Sequence, residues 1–162
     1  MAQIKYIMTT ELVTAEPSDS VLAVVQLMKE KRLGAILIAE GKSLKGIFSE
    51  RDLLTRVVSE GKDPQTTNII DVSSQNPITV VETEHVKVCA ELLEEHNFRH
   101  LPIVDSDGNL AGVISSRDFS KYVTKELEGV IDKVRSKEGV TEAFDPYEMF
   151  GGGGGFGLPR SS

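Results

Sequence analysis

The chain repeats itself, and the repetition constrains its fold more than any other feature. Residues 46–52 read GIFSERD and residues 112–118 read GVISSRD: Gly, two apolar residues, Ser, any residue, Arg, Asp. The likeness extends well beyond these seven positions. Displaced by 65, residues 7–39 fall on 72–104 without a gap, with identities at Thr14/Thr79, Val21/Val86, Leu27/Leu92, Glu30/Glu95 and Ile38/Ile103. Elsewhere the class is kept: Val13 meets Ile78, Asp19 meets Glu84, Met28 meets Leu93 and Ile36 meets Leu101. One residue is gained in the next loop, after which 46–58 fall on 112–124. Self-similarity at a fixed period marks a chain built from copies of one supersecondary unit.

Each copy reads as β-α-β-β-α. A short β-like run opens it, LVTA at 12–15 and ITVV at 78–81. A polar turn follows, in which Ser18 or Thr83 is placed to cap a helix. Val21, Val24, Val25 and Met28 in one copy, and Val86, Cys89, Ala90 and Leu93 in the other, have the spacing of one apolar helix face. Two strands come next, AILIA and GIF, then LPIVD and GVIS, the second pair joined through the turn-forming Asp107-Gly108-Asn109. A second helix is expected over 50–59 and 116–125, with Gly61 ending the first. One unit of about 60 residues is too small to bury all its apolar faces. Two units, 4–62 and 69–125, sharing a core about a pseudo-twofold axis resolve this, giving an α+β (mixed α/β) fold. A further helix is expected over 126–140, closed by Gly139. The five consecutive glycines of DPYEMFGGGGGFGLPRSS make 141–162 a flexible Gly/Phe tail.

Composition excludes several classes of function. The net charge of −7, with no Lys/Arg cluster, argues against a nucleic-acid partner. The single cysteine, Cys89, permits no intrachain disulfide and reads as a small buried hydrophobe. No stretch reaches the roughly 18 apolar residues of a membrane helix, and the N-terminus has no cleavable leader pattern, so the expectation is a cytoplasmic protein with no membrane partner. His85 and His96 fall at opposite ends of one expected helix, too far apart to share a metal, and no metal site is expected. No catalytic residues are expected either: the chain has no Walker loop, no H-E-x-x-H, and no Ser-His-Asp order.

Two readings of the doubled motif stay open. Ser49-x-x-Asp52 and Ser115-x-x-Asp118 have the form of a capping box, with Asp in place of the usual Glu. A strand end that runs into a helix N-terminus is also a ready anion site, and a carboxylate beside it can accept hydrogen bonds from two ribose hydroxyls. Arg51, Arg117 and His100 are candidate phosphate partners, and Gly46 and Gly112 would let a neighbouring backbone approach closely.

The β-α-β-β-α unit present twice, each copy ending in G-h-h-S-x-R-D, with HNFRHLPIVD before the second hairpin, resembles the cystathionine-β-synthase (CBS) domain pair, or Bateman module, over about residues 4–125. The resemblance implies a cleft between the units that binds an adenosine-type small molecule such as AMP, ADP, ATP or NAD, with no cofactor required. It implies that Ser49, Arg51 and Asp52 face Ile78, Thr79, Arg99, His100 and Pro102, and that Ser115, Arg117 and Asp118 face Val13, Thr14, Gly34 and Ala35. Because Gly34 and Ala35 stand where Arg99 and His100 stand in the second copy, only the Asp52 site is expected to gain cations from the other unit. The expected function is that of a stand-alone regulatory protein, forming a homodimer through Leu53, Leu54, Val57, Phe119, Tyr122 and Val123 and signalling to an unknown partner protein. The alternative is a ligand-free assembly module.

Overall fold

A computed structural model of the chain describes residues 2–138, with side chains to residue 136; the expected tail and the end of the expected last helix lie outside these residues. The chain divides into two compact units after Thr124.

The first unit contains both repeats. Strands β1 (Thr14–Ala15), β2 (Ala35–Glu40), β3 (Ser43–Ser49) and β4 (Ser74–Gln75) form one sheet in that order, and β5 (Val80–Val81), β6 (His100–Val104) and β7 (Leu110–Ser115) form the other. The opening strand of each repeat runs parallel to the next, which pairs antiparallel with the third. A β-bulge falls at Ile38/Ala39 in one sheet and at Ile103/Val104 in the other, the same place 65 residues apart. Each sheet carries its own buried cluster. Val21, Val24 and Met28 of α1 (Val21–Lys31) pack with Ile36, Ile38 and Phe48, while Cys89 and Leu93 of a second helix (Val86–Glu95) pack with Leu101, Ile103 and Ile114.

The repeats are tied together by an exchange of leading segments. Ile4, in a 3-10 turn over Ile4–Tyr6, is fully buried in the core of the second repeat. Its counterparts Ile69 and Val72, in the 3-10 turn Ile69–Val72, are buried in the core of the first. The crossing segments also satisfy helix N-termini, whose first amides have no partner within the helix. Val21 and Leu22 donate to the carbonyls of Thr67 and Pro64, and Val86 donates to that of Ala2. These bonds correct the expected caps. Ser18 does not cap α1, because the preceding turn closes through Asp19, whose carboxylate accepts from the Glu16 amide; Ser20 caps instead, accepting from the Ala23 amide at 3.2 Å. The second helix starts after His85 with no side-chain cap, so Thr83 has no such role.

At Gly46 and Gly112 the exchanged segments approach too closely for a side chain. A Cβ on Gly46 would lie 3.0 Å from the Ser74 carbonyl oxygen, and one on Gly112 would lie 3.0 Å from that of Thr9 and 2.7 Å from the Met8 sulfur.

The second helix of the first repeat begins as α2 (Glu50–Asp52) and widens into a π-helical stretch, Leu53–Val58, released at Gly61 with φ +64°. With α2 so placed, the helix Val86–Glu95 is α3. The last helix, α4 (Ser116–Glu138), is uninterrupted, so the two helices expected over 116–125 and 126–140 are one. The expected dimer face is also corrected. Val57 is buried, Leu53 and Phe119 pack against the cores, and the exposed apolar residues on the π-helical stretch are Leu54 and Val58. In the second unit the residues of α4 from Lys125 to Ser136 are exposed.

Candidate functional site

Both copies of the doubled motif close a complete capping box where a sheet strand becomes a helix. The Asp52 amide donates to Ser49 Oγ at 3.3 Å, the Ser49 amide donates to Asp52 Oδ2 at 2.8 Å, and the Ser49 hydroxyl donates to the same oxygen at 2.9 Å. At the second copy the Asp118 amide donates to Ser115 Oγ, and the Ser115 amide to Asp118 Oδ2, both at 3.1 Å; the Ser115 hydroxyl donates to that oxygen as well. The helix N-termini are less open to an anion than the motif suggests. The first helical amides, of Glu50 and Ser116, are taken by the carbonyls of Gly34 and Arg99. With the Asp amides held by serine, only the amides of Arg51 and Arg117 are left among the first three of each helix. A phosphate at either place therefore depends on side-chain cations.

Two inter-repeat clefts flank these boxes, of about 380 Å³ beside Asp52 and about 350 Å³ beside Asp118. Both are within the range of pockets that hold a small ligand. Ser49, Arg51, Asp52, Ile78, Arg99, His100 and Pro102 line the first, together with Arg56. Ser115, Arg117, Asp118, Val13, Gly34 and Ala35 line the second. Thr79 and Thr14 do not line them. Both are exposed, and in an extended segment the neighbour of an inward residue (Ile78 or Val13) points the other way.

The expected asymmetry of cations fails. Ala35 lies opposite Ser49 across β2–β3, and His100 lies opposite Ser115 across β6–β7. These two strand starts stand at the centre of the pair, so Gly34, Ala35, Arg99 and His100 line both clefts. The Asp118 cleft also gains Arg32, held with φ +56° at the end of α1. Arg117 is thus one of three arginines there. Burial holds the pKa of His100 below the usual histidine value, opposed by the carboxylates of Asp118 and Glu50 and reinforced by Arg99. Among the described residues no three His, Cys, Asp or Glu side chains converge as metal ligands. None of the described helices is long and apolar enough to cross a membrane.

Residues 4–59 and 69–125 each match the CBS domain family. The chain belongs to that family.

Among its relatives is a CBS domain-containing protein of Bacillus subtilis, 32% identical over 74% of this chain and 84% of the relative. A CBS domain protein from Pyrobaculum aerophilum, solved in complex with AMP, superposes with a TM-score of 0.67 at 28% identity, over 72% of this chain and 89% of that one. CBSX2, also solved with AMP, gives 0.66 at 26% identity over 76% and 96%.

The two CBS repeats differ just past their aspartates. Arg56, four residues after Asp52, is placed by its helix to line the cleft and to meet that carboxylate; an Asp–Arg pair at this spacing was a usable sequence signal. Its counterpart in the second repeat is Tyr122. Arg32 had no comparable signal, because its position depends on the left-handed end of α1.

Proposed function

We propose that this CBS pair is a stand-alone regulatory protein that binds an adenosine nucleotide of the AMP, ADP, ATP or NAD type in the clefts between its repeats. The observation that carries the reading is that each Ser-x-x-Asp box shares a cleft with strand-start residues of the other repeat, among which Arg99 and His100 border both clefts. A carboxylate at one wall suits two ribose hydroxyls, and guanidinium groups near the centre suit phosphate. In this reading Ser49 and Asp52, and likewise Ser115 and Asp118, hold ribose. Ile78 and Pro102 in one cleft, and Val13 and Ala35 in the other, border the base. Arg51, Arg99, His100 and Arg117 meet phosphate, and Gly34 leaves room beside Arg99. Two related CBS structures carry AMP, which supports the ligand class. In this reading the protein acts by binding rather than by catalysis. It signals to a partner protein by the ligand's differential affinity for two conformations or assemblies. We place it in the cytoplasm, as a homodimer.

Mass spectrometry of small molecules released from protein purified without added nucleotide tests the reading. An adenosine compound recovered near one or two equivalents is expected. Protein that releases none, and gives no calorimetric signal with AMP, ADP, ATP or NAD, would instead be an assembly module.

A further inference from the structure

The far part of α4 has an apolar stripe facing solvent. Leu127, Val130, Ile131 and Val134 are 57%, 56%, 46% and 48% exposed, and their spacing puts them on one side of the helix. Charges flank this stripe in an ordered way. Glu126 precedes Leu127 and Lys133 precedes Val134, so the two charged residues are seven apart and border the same edge of the stripe. With Leu127 and Val134 at heptad position a and Val130 at d, Glu126 and Lys133 are both g positions and Ile131 is e.

That arrangement discriminates between orientations of a second identical helix. In an antiparallel pair g meets g, so Glu126 would face Lys133 of the partner subunit, and the reverse pair would form by symmetry. Leu127 would lie against Val130 of the partner subunit, with the twofold axis between residues 128 and 129. In a parallel pair g meets e, and Glu126 would face an isoleucine. The charged edge is self-complementary only when the helices run in opposite directions. We propose that the stripe Leu127–Val130–Ile131–Val134 is a docking surface for a second copy of this chain, through antiparallel pairing of α4. None of its four residues lines either cleft, and the proposal does not rest on the nucleotide reading.

The test is light scattering coupled to gel filtration, and sedimentation equilibrium, on the full chain. The expected mass is twice the 17.7 kDa of one chain. Val130→Glu, at an exposed position, should give a monomer that still melts cooperatively, with a melting temperature that no longer depends on concentration. Glu126→Lys or Lys133→Glu alone should weaken self-association about tenfold at low salt, since each creates like-charge contacts at both ends of the pair. The double variant Glu126→Lys/Lys133→Glu should restore it. A wild-type monomer at every concentration would overturn the proposal, as would a dimer that survives Val130→Glu. A double variant no better than the singles would overturn the antiparallel arrangement.

Discussion

Arg56 reaches back one turn to Asp52: its Nε stands 3.3 Å from Asp52 Oδ1, while its Nη1 donates to the Ser73 carbonyl at 2.9 Å. One guanidinium thus ties the first box to the segment exchanged from ahead of the second repeat. Asp52, 13% exposed, has Oδ2 engaged by Ser49 and Oδ1 by Arg56. Tyr122 holds the corresponding sequence position, four residues after Asp118, and brings no charge. Replacing Arg56 with methionine should lower stability by about 1 kcal/mol, discounted for the exposure of the arginine, and leave ligand affinity at the Asp118 cleft unchanged. Thermal melts and calorimetry on the same variant check both halves.

Asp52→Ala and Asp118→Ala should each do two things. Loss of the capping box should reduce stability by about 1 kcal/mol. Loss of the acceptor for ribose hydroxyls should weaken AMP at the same cleft by about tenfold or more. A variant that loses stability and keeps its affinity would make the aspartates caps only. Melting temperature and affinity measured on the same sample separate the outcomes.

Gly46→Ala and Gly112→Ala should each destabilise by about 1–3 kcal/mol, because the added methyl meets the backbone of the exchanged segment. Denaturant unfolding gives the magnitude. At Gly112 part of the clash falls on the movable Met8 side chain, so Gly112→Ala/Met8→Ala should recover part of the loss.

The histidine predicts a pH dependence. His100 binds its proton less readily folded than unfolded, because burial disfavours the imidazolium. As pH falls through the unfolded value near 6.5, the unfolded chain takes up that proton first, so stability contributed above this pH is lost on acidification. A bound phosphate favours the charged ring, so AMP binding should take up protons and strengthen as pH falls from 8 towards 6. His100→Gln should flatten both trends, read by melts and by calorimetry in buffers of different ionisation enthalpy.

Cys89 should be inert in the native state. It is buried, and burial, reinforced by Glu84, pushes its thiol up to about 11, which removes the reactive thiolate at pH 8. Alkylation followed by mass spectrometry should proceed only in denaturant.

What the sequence made legible was local. The Ser-x-x-Asp boxes, the Gly108 turn with φ +82°, the helix face through Val21, Val24 and Met28, and the release at Gly61 follow from the chemistry of a few neighbouring residues. The exchange of leading segments was not legible, because it joins Ile4 to a core formed some 80–110 residues later. That exchange redirected the caps, since backbone carbonyls from afar took the amides assigned to Ser18 and Thr83. The site was legible as an alignment and misread as a geometry. Arg99 and His100 align with Gly34 and Ala35, which suggested opposite and unequal sites. The sheet registers instead bring all four residues to the centre, where both clefts share them.

Calorimetric titration of AMP into the wild-type chain and into Asp52→Ala/Asp118→Ala is the most direct measurement of the central claim. Saturable binding to wild type, weakened about a hundredfold or more in a double variant that still melts cooperatively, is the predicted result. Absence of binding to wild type by AMP, ADP, ATP and NAD alike, or AMP affinity unchanged in the double variant, would contradict it.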